Sequence, residues 1–134
     1  MKPELINAYN NTSYNVFDPP MSIKIGQQIP ELDALLKRYD QTNWAYVTAF
    51  NPFSELLTAE ENEERHKQLN KRLKEYLSFE GEGVGTDPAW KPERSFLILG
   101  ISEIDAGKFG EDFQQNAIVV GQLNKVAKLM LLKY

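Results

Sequence analysis

Three clusters of polar side chains carry the chemistry that this sequence can offer. The first is Thr48, Asn51 and Asn62, where an apolar run ends and a helix begins. The second is Trp90-Lys91-Pro92-Glu93-Arg94-Ser95, directly ahead of another apolar run. Glu93 and Ser95 share a face there if the strand starts early. The third is Gln114-Gln115-Asn116, amides at the entrance of the strand Ala117 to Val120. Amides read hydrogen-bonding edges, and Glu93 is the one group among them suited to general acid or base work. A structural role competes with that reading. A buried Asn must be satisfied, and Asn62 can bond the backbone of the Asn51-Pro52 turn. Glu93 can pair with Arg65 or Arg94 as an ordinary ion pair.

Other candidates carry less. Gly81-Glu82-Gly83-Val84-Gly85-Thr86-Asp87 invites a phosphate-loop reading, but a helix precedes it, Lys-Ser/Thr is missing and Glu82 would repel phosphate. It reads as a connector. His66 is the only histidine, has no Ser or Cys partner in a recognisable motif, and flanks the apolar stripe of a helix. It reads as structural. With no cysteine, disulfides, thiolate catalysis and cysteine-ligated zinc are excluded. The expectation is no metal and no cofactor.

The elements that must position these groups follow from periodicity. Tyr14 and Val16, then Met21, Ile23 and Ile25, alternate with polar residues and predict two half-buried strands around Asp18-Pro19-Pro20. Pro30 to Tyr39 has helical spacing, with acids first and bases last as the helix dipole favours. Trp44 to Phe50 and Ser95 to Ile101 are apolar on both faces and predict central strands. Thr58-Ala59-Glu60-Glu61 is a capping box opening a helix towards Leu77, with Leu69, Leu73, Tyr76 and Leu77 as its stripe and Asn62 at the stripe's centre. Residues 79–91 and 105–112 read as connections. Val126 to Leu132 reads as a returning strand rather than a helix. Residues 1–12 read as a frayed arm or short helix. The sum is one α+β domain over 1–134: two layers, a mostly antiparallel sheet of five or six strands, and two main helices packed on it.

In this order the polar clusters resemble domain-of-unknown-function family 3293, small and mostly bacterial proteins. The resemblance rests on Thr48-Ala49-Phe50-Asn51-Pro52, then Asn62 and Arg65, then Trp90, Glu93 and Ser95, and finally Gln115-Asn116-Ala117. It implies that these polar residues recur together, and it brings no activity, substrate or cofactor. Recurring polar residues are more readily explained by binding than by packing.

The 134 residues suit a single domain with its own core, and 42% hydrophobic with 25% charged content is ordinary for a globular chain. A net charge of −4 without a basic block argues against a nucleic-acid partner. The absence of a long apolar run argues against a membrane span, so a cytoplasmic protein is the expectation. Two readings stay open. In one, Asn51, Asn62, Arg65, Trp90, Glu93, Ser95, Gln115 and Asn116 converge on an anionic or nucleotide-like small molecule. Arg65 would clamp the anion and Trp90 would offer a stacking wall. In the other, these residues form a structural hydrogen-bond network and the protein docks onto a protein partner through Trp90 and Phe109.

Overall fold

The computed structural model describes residues 1–132. Helix α1 (Pro3–Asn10) starts on a proline and carries Glu4 in its first turn, both suited to a helix's positive end. Strands β1 (Ser13–Val16) and β2 (Met21–Ile23) form the expected hairpin. Helix α2 (Pro30–Arg38) buries Leu32, Leu35 and Leu36. Strand β3 (Asn43–Thr48) leads to helix α3 (Ala59–Arg72), where both bonds of the Thr58–Glu61 capping box are present. Strands β4 (Leu77–Val84) and β5 (Glu93–Leu99) pair as a second hairpin. Helix α4 (Glu103–Asp112), capped by the Ser102 hydroxyl, precedes β6 (Ala117–Gln122) and β7 (Lys128–Leu131).

All seven strands lie in one sheet, in the order β2-β1-β4-β5-β3-β6-β7, and every neighbouring pair is antiparallel. Just outside its two outer strands, Ile25 and Ala127 form a parallel bridge. Gly26 N donates to Ala127 O at 2.8 Å and Ala127 N to Gln27 O at 2.9 Å. The sheet therefore curls until its edges touch. Side chains that alternate along each strand are thus divided between an enclosed face and an outer one. The enclosed face packs Val16, Ile23, Trp44, Leu97, Leu99 and Val119 around Leu32 and Leu36 of α2. The outer face packs Ala45, Val47, Phe96, Ile98 and Ile118 against Leu69 of α3, Leu73 at its C-cap and Ala106 of α4.

The α+β class holds, with corrections. The described residues contain seven strands instead of five or six and four helices instead of two, and helices cover both faces of the sheet instead of one. Residues 79–84, expected in a connection, belong to β4, and α3 ends at Arg72 so that Leu77 opens that strand. Two glycines hid the strand. At Gly81 a Cβ would lie 1.8 Å from Asn15 O, so no side chain fits between β4 and β1 there. Residues 105–112 are helical, and no stripe marked them because Gly107 and Gly110 stand where bulky residues would (a Cβ on Gly110 would sit 2.9 Å from Ile118 Cγ2). No helix among the described residues is long and apolar enough to cross a membrane.

Candidate functional site

The site is built where β3 leaves the sheet. Asn51 takes a left-handed backbone, φ 48°, which Asn tolerates better than most residues. Its amide hydrogen donates to Asn62 Oδ1 at 2.9 Å, the backbone bond that a structural role for Asn62 requires. In return Asn62 Nδ2 donates to Asn51 Oδ1 at 2.9 Å, and Leu57 N donates to the same oxygen at 3.0 Å. Both amides are buried and mutually satisfied. One group points onward: Asn51 Nδ2 donates to Glu93 Oε2 at 2.7 Å.

Arg65 and Gln115 hold the same junction from the side. Arg65 Nε donates to Ala49 O at 2.6 Å, while its Nη2 donates to Phe113 O and, at 3.1 Å, to Gln114 Oε1. Burial lowers its pKa from the usual guanidinium range. Gln115 Nε2 donates to Phe50 O at 3.0 Å and Phe113 O at 3.1 Å. Gln114 adopts φ 52° where α4 stops, and its carbonyl accepts from Phe53 N at 2.7 Å. Asn116 Nδ2 donates to Ser54 Oγ at 3.1 Å. Three successive residues, Ala49 to Asn51, are thereby pinned through backbone atoms to α3 and to the start of β6.

Beyond the pinned junction lies a cavity of about 550 Å³ at one end of the enclosed face, with α2 packing the other end. Its floor is the sheet: Tyr14, Tyr46, Thr48, Glu93, Ser95 and Val119. Register explains the grouping, because Thr48 and Gly81 flank Ser95, and Gly83 lies opposite both Glu93 and Tyr14. Glycine at 83 removes a side chain from the middle of that floor. Its missing Cβ would meet nothing closer than 3.8 Å. Helix α1 forms a wall with Leu5, Ala8 and Tyr9, and Trp90, Asp87 and Ser54 complete the rim.

Glu93 is the polar centre of this cavity. Trp90 Nε1 donates to its Oε2 at 3.2 Å, beside the bond from Asn51. Burial pushes its pKa up from the usual carboxylate range, and those two neutral donors only partly oppose the shift. Burial also raises the pKa of Tyr14, Tyr46 and Tyr9, so all three stay protonated phenols at neutral pH. Tyr9 places its hydroxyl beside Ser54 and Asn116.

The structure brings Trp90, Glu93, Ser95 and Gln115 into the cavity, with Asn51 touching it through Glu93. Asn62 and Arg65 stand behind the junction and do not line it. The expected anion clamp is absent there, since the Arg65 guanidinium already serves three oxygens of the protein. Glu93 pairs with neither Arg65 nor Arg94; Arg94 turns outward to Glu63 at 2.6 Å and Glu80 at 2.5 Å. His66 is buried on the outer face, stacked on Phe96 with ring centroids 4.4 Å apart. No cluster of metal-ligating side chains occurs among the described residues. The three tyrosines were not read as site residues in the sequence. The available signal was their hydroxyls, since a buried tyrosine needs a partner for its O–H.

Residues 47–118 match the family model described as Protein of unknown function (DUF3293), and the chain belongs to that family. The match takes in the whole junction and Glu93 but stops short of Tyr9, Tyr14 and Tyr46. Neither a curated protein nor a solved structure matches the chain.

Proposed function

We propose that this protein binds a small molecule in the cavity inside its curled sheet, with Glu93 as the polar anchor. The observation that carries this reading is the position of Glu93. It is a carboxyl largely removed from water, inside a hollow of ligand size, bonded only by neutral N–H groups. A carboxyl whose only role was structural would be expected to have a cation beside it. Glu93 is also the group best suited to give or take a proton, should a reaction occur there.

The network reading and the cavity reading describe different residues. Asn51, Asn62 and Arg65 are the frame, with their polar groups spent on the chain itself. Trp90, Glu93, Ser95 and Gln115 are the site that the frame holds. A docking role has less support. Trp90 donates to Glu93, while Phe109 packs edge-on to Tyr76 and under Arg72, 4.9 Å from its ring centroid.

The test is a thermal-shift screen of a metabolite panel on the wild type and on Gly83→Leu. A Cβ added there meets nothing closer than 3.8 Å, and Gly83 lies on β4, to which none of the frame residues belongs. A ligand at a hundred times its Kd stabilises by about 2.7 kcal/mol, several degrees for a domain of this size. Hits that vanish in Gly83→Leu are expected. Hits that persist in it, or a panel with none, overturn the reading.

A further inference from the structure

The polarity of the hydrogen bonds around the cavity narrows what it can hold. A hydroxyl has one proton to donate. Four of the floor hydroxyls donate theirs to backbone carbonyls of the protein. Tyr46 Oη donates to Asn15 O at 2.7 Å and Tyr14 Oη to Tyr9 O at 2.8 Å. Thr48 Oγ1 donates to Arg94 O at 2.6 Å and Ser95 Oγ to Glu93 O at 3.0 Å. The nitrogen donors are committed in the same way: Trp90 Nε1 and Asn51 Nδ2 bond Glu93, and Gln115 Nε2 bonds two carbonyls. The floor therefore presents oxygen lone pairs to an occupant and few protons, with one lone pair of Thr48 Oγ1 taken by Phe50 N at 3.1 Å. Both donors to Glu93 fall on Oε2, and Oε1 receives neither.

Charge points the same way. The acidic and basic side chains lining the cavity are the carboxyls of Glu4, Asp87 and Glu93, against one ammonium, Lys2, beside the phenols of Tyr9, Tyr14 and Tyr46. No arginine lines it. An anionic group would meet acceptors and acids without a fixed cationic clamp. Beside the hydroxyls of Tyr9, Thr12, Ser54 and Thr86, the surface is apolar or aromatic: Leu5, Ala8, Val119 and the rings of Tyr14, Tyr46 and Trp90. Aromatic faces attract a cation, and apolar ones favour a hydrocarbon body.

We infer that the cavity selects a protonated amine on an apolar body, its N–H groups directed to Glu93 and to the hydroxyl oxygens of the floor. An ammonium offers three donors to a lining short of them, and its bond to a carboxylate is charge-assisted. This inference rests on the cavity being a ligand site, as proposed above.

The experiment uses three probes with one ring and different heads: phenethylamine, phenethyl alcohol and phenylacetate. Each is titrated into the full chain while the indole N–H signals are followed by NMR. Trp90 reports on Glu93, and Trp44, buried at the α2 end, is the internal reference. Phenethylamine is expected to shift the Trp90 signal saturably and to bind about ten times more tightly than the alcohol. Phenylacetate is expected to leave it unmoved. Glu93→Gln should bring amine and alcohol to similar affinities, and Gly83→Leu should abolish every shift. If the alcohol or phenylacetate binds as tightly as the amine and Gly83→Leu blocks it, the site stands and the amine class is wrong. If no probe shifts Trp90, or the shifts survive Gly83→Leu, the site itself fails and this inference with it.

Discussion

Glu80 and Glu93 belong to the same β4–β5 hairpin but face opposite sides of the sheet, and their partners differ in kind. Glu80, on the outer face, has His66 Nε2 at 2.8 Å and Arg94 Nη2 at 2.5 Å. The bond to His66, helped by Arg94, holds its pKa below the usual carboxylate range. Glu93, on the enclosed face, has Asn51 and Trp90, both neutral, and burial raises its pKa. An acid whose cation, Arg94, comes from its own chain is already complete. An acid oriented by neutral donors in a hollow still lacks its counter-charge, which something from outside can supply.

The comparison can be broken first at the frame. Arg65→Met should cost about 2–3 kcal/mol in chemical denaturation, because the change leaves Ala49 O, Phe113 O and Gln114 Oε1 without their shared donor. Under the anion-clamp reading of the sequence, loss of Arg65 would abolish ligand binding and leave melting nearly unchanged. The bonds of its guanidinium to the frame argue for the opposite outcome, and an unchanged melting curve would favour the clamp. Asn62→Ala should cost about 1–3 kcal/mol by orphaning the Asn51 amide hydrogen. It should also loosen the Asn51 bond to Glu93, visible as a moved Trp90 indole signal.

The two carboxyls themselves should give pH slopes of opposite sign. Folded Glu93 keeps a proton that the unfolded chain has already released. Stability therefore falls as pH rises from the ordinary carboxyl range through its raised value. Glu93→Gln should remove that decline in a Tm-against-pH series. Folded Glu80 releases its proton earlier than the unfolded chain, so its contribution is present above the ordinary range and lost as pH falls through its lowered value. Glu80→Gln should soften the acid limb alone. A Glu93→Gln curve parallel to the wild type throughout would mean that burial does not govern this carboxyl. The smallest effect belongs to Arg94→Met, which removes a partly exposed cation between Glu63 and Glu80 and should cost no more than about 1 kcal/mol. Its cost should shrink further at high salt.

Local signals were the ones written most clearly in the sequence. The Thr58–Glu61 box, the charge order of α2 and the alternation of β1 all act within a few residues, and all appear as expected. β4 was obscured because Gly81 and Gly83 give a strand no alternation to read. Gly81 answers to Asn15, 66 positions earlier in the chain, so its reason is not local. α4 was obscured for a related reason, its contact face being built from residues too small to mark a stripe. The polar clusters do meet, since Asn51, Trp90 and Glu93 form one connected set. What the sequence could not show was the division of labour within that set. Whether Arg65 meets a ligand or Ala49 O depends on how α3 is rotated against β3, which periodicity does not fix. Tyr9 and Tyr14 enter only because β1 pairs with β4 and carries α1 across the opening.

The wall contributed by α1 has a kinetic consequence. That helix has no fully buried residue and no side-chain cap at its first turn, and the Tyr14 hydroxyl bonding Tyr9 O is one of few ties to the sheet. Lifting it away is expected to cost less than unfolding the strands beneath, so its amides should exchange with solvent before theirs in a hydrogen-exchange series. Entry to the hollow can then be fast while the floor stays rigid. Residence time would be set by what an occupant adds to the hold on α1, and affinity by what it gains from Glu93.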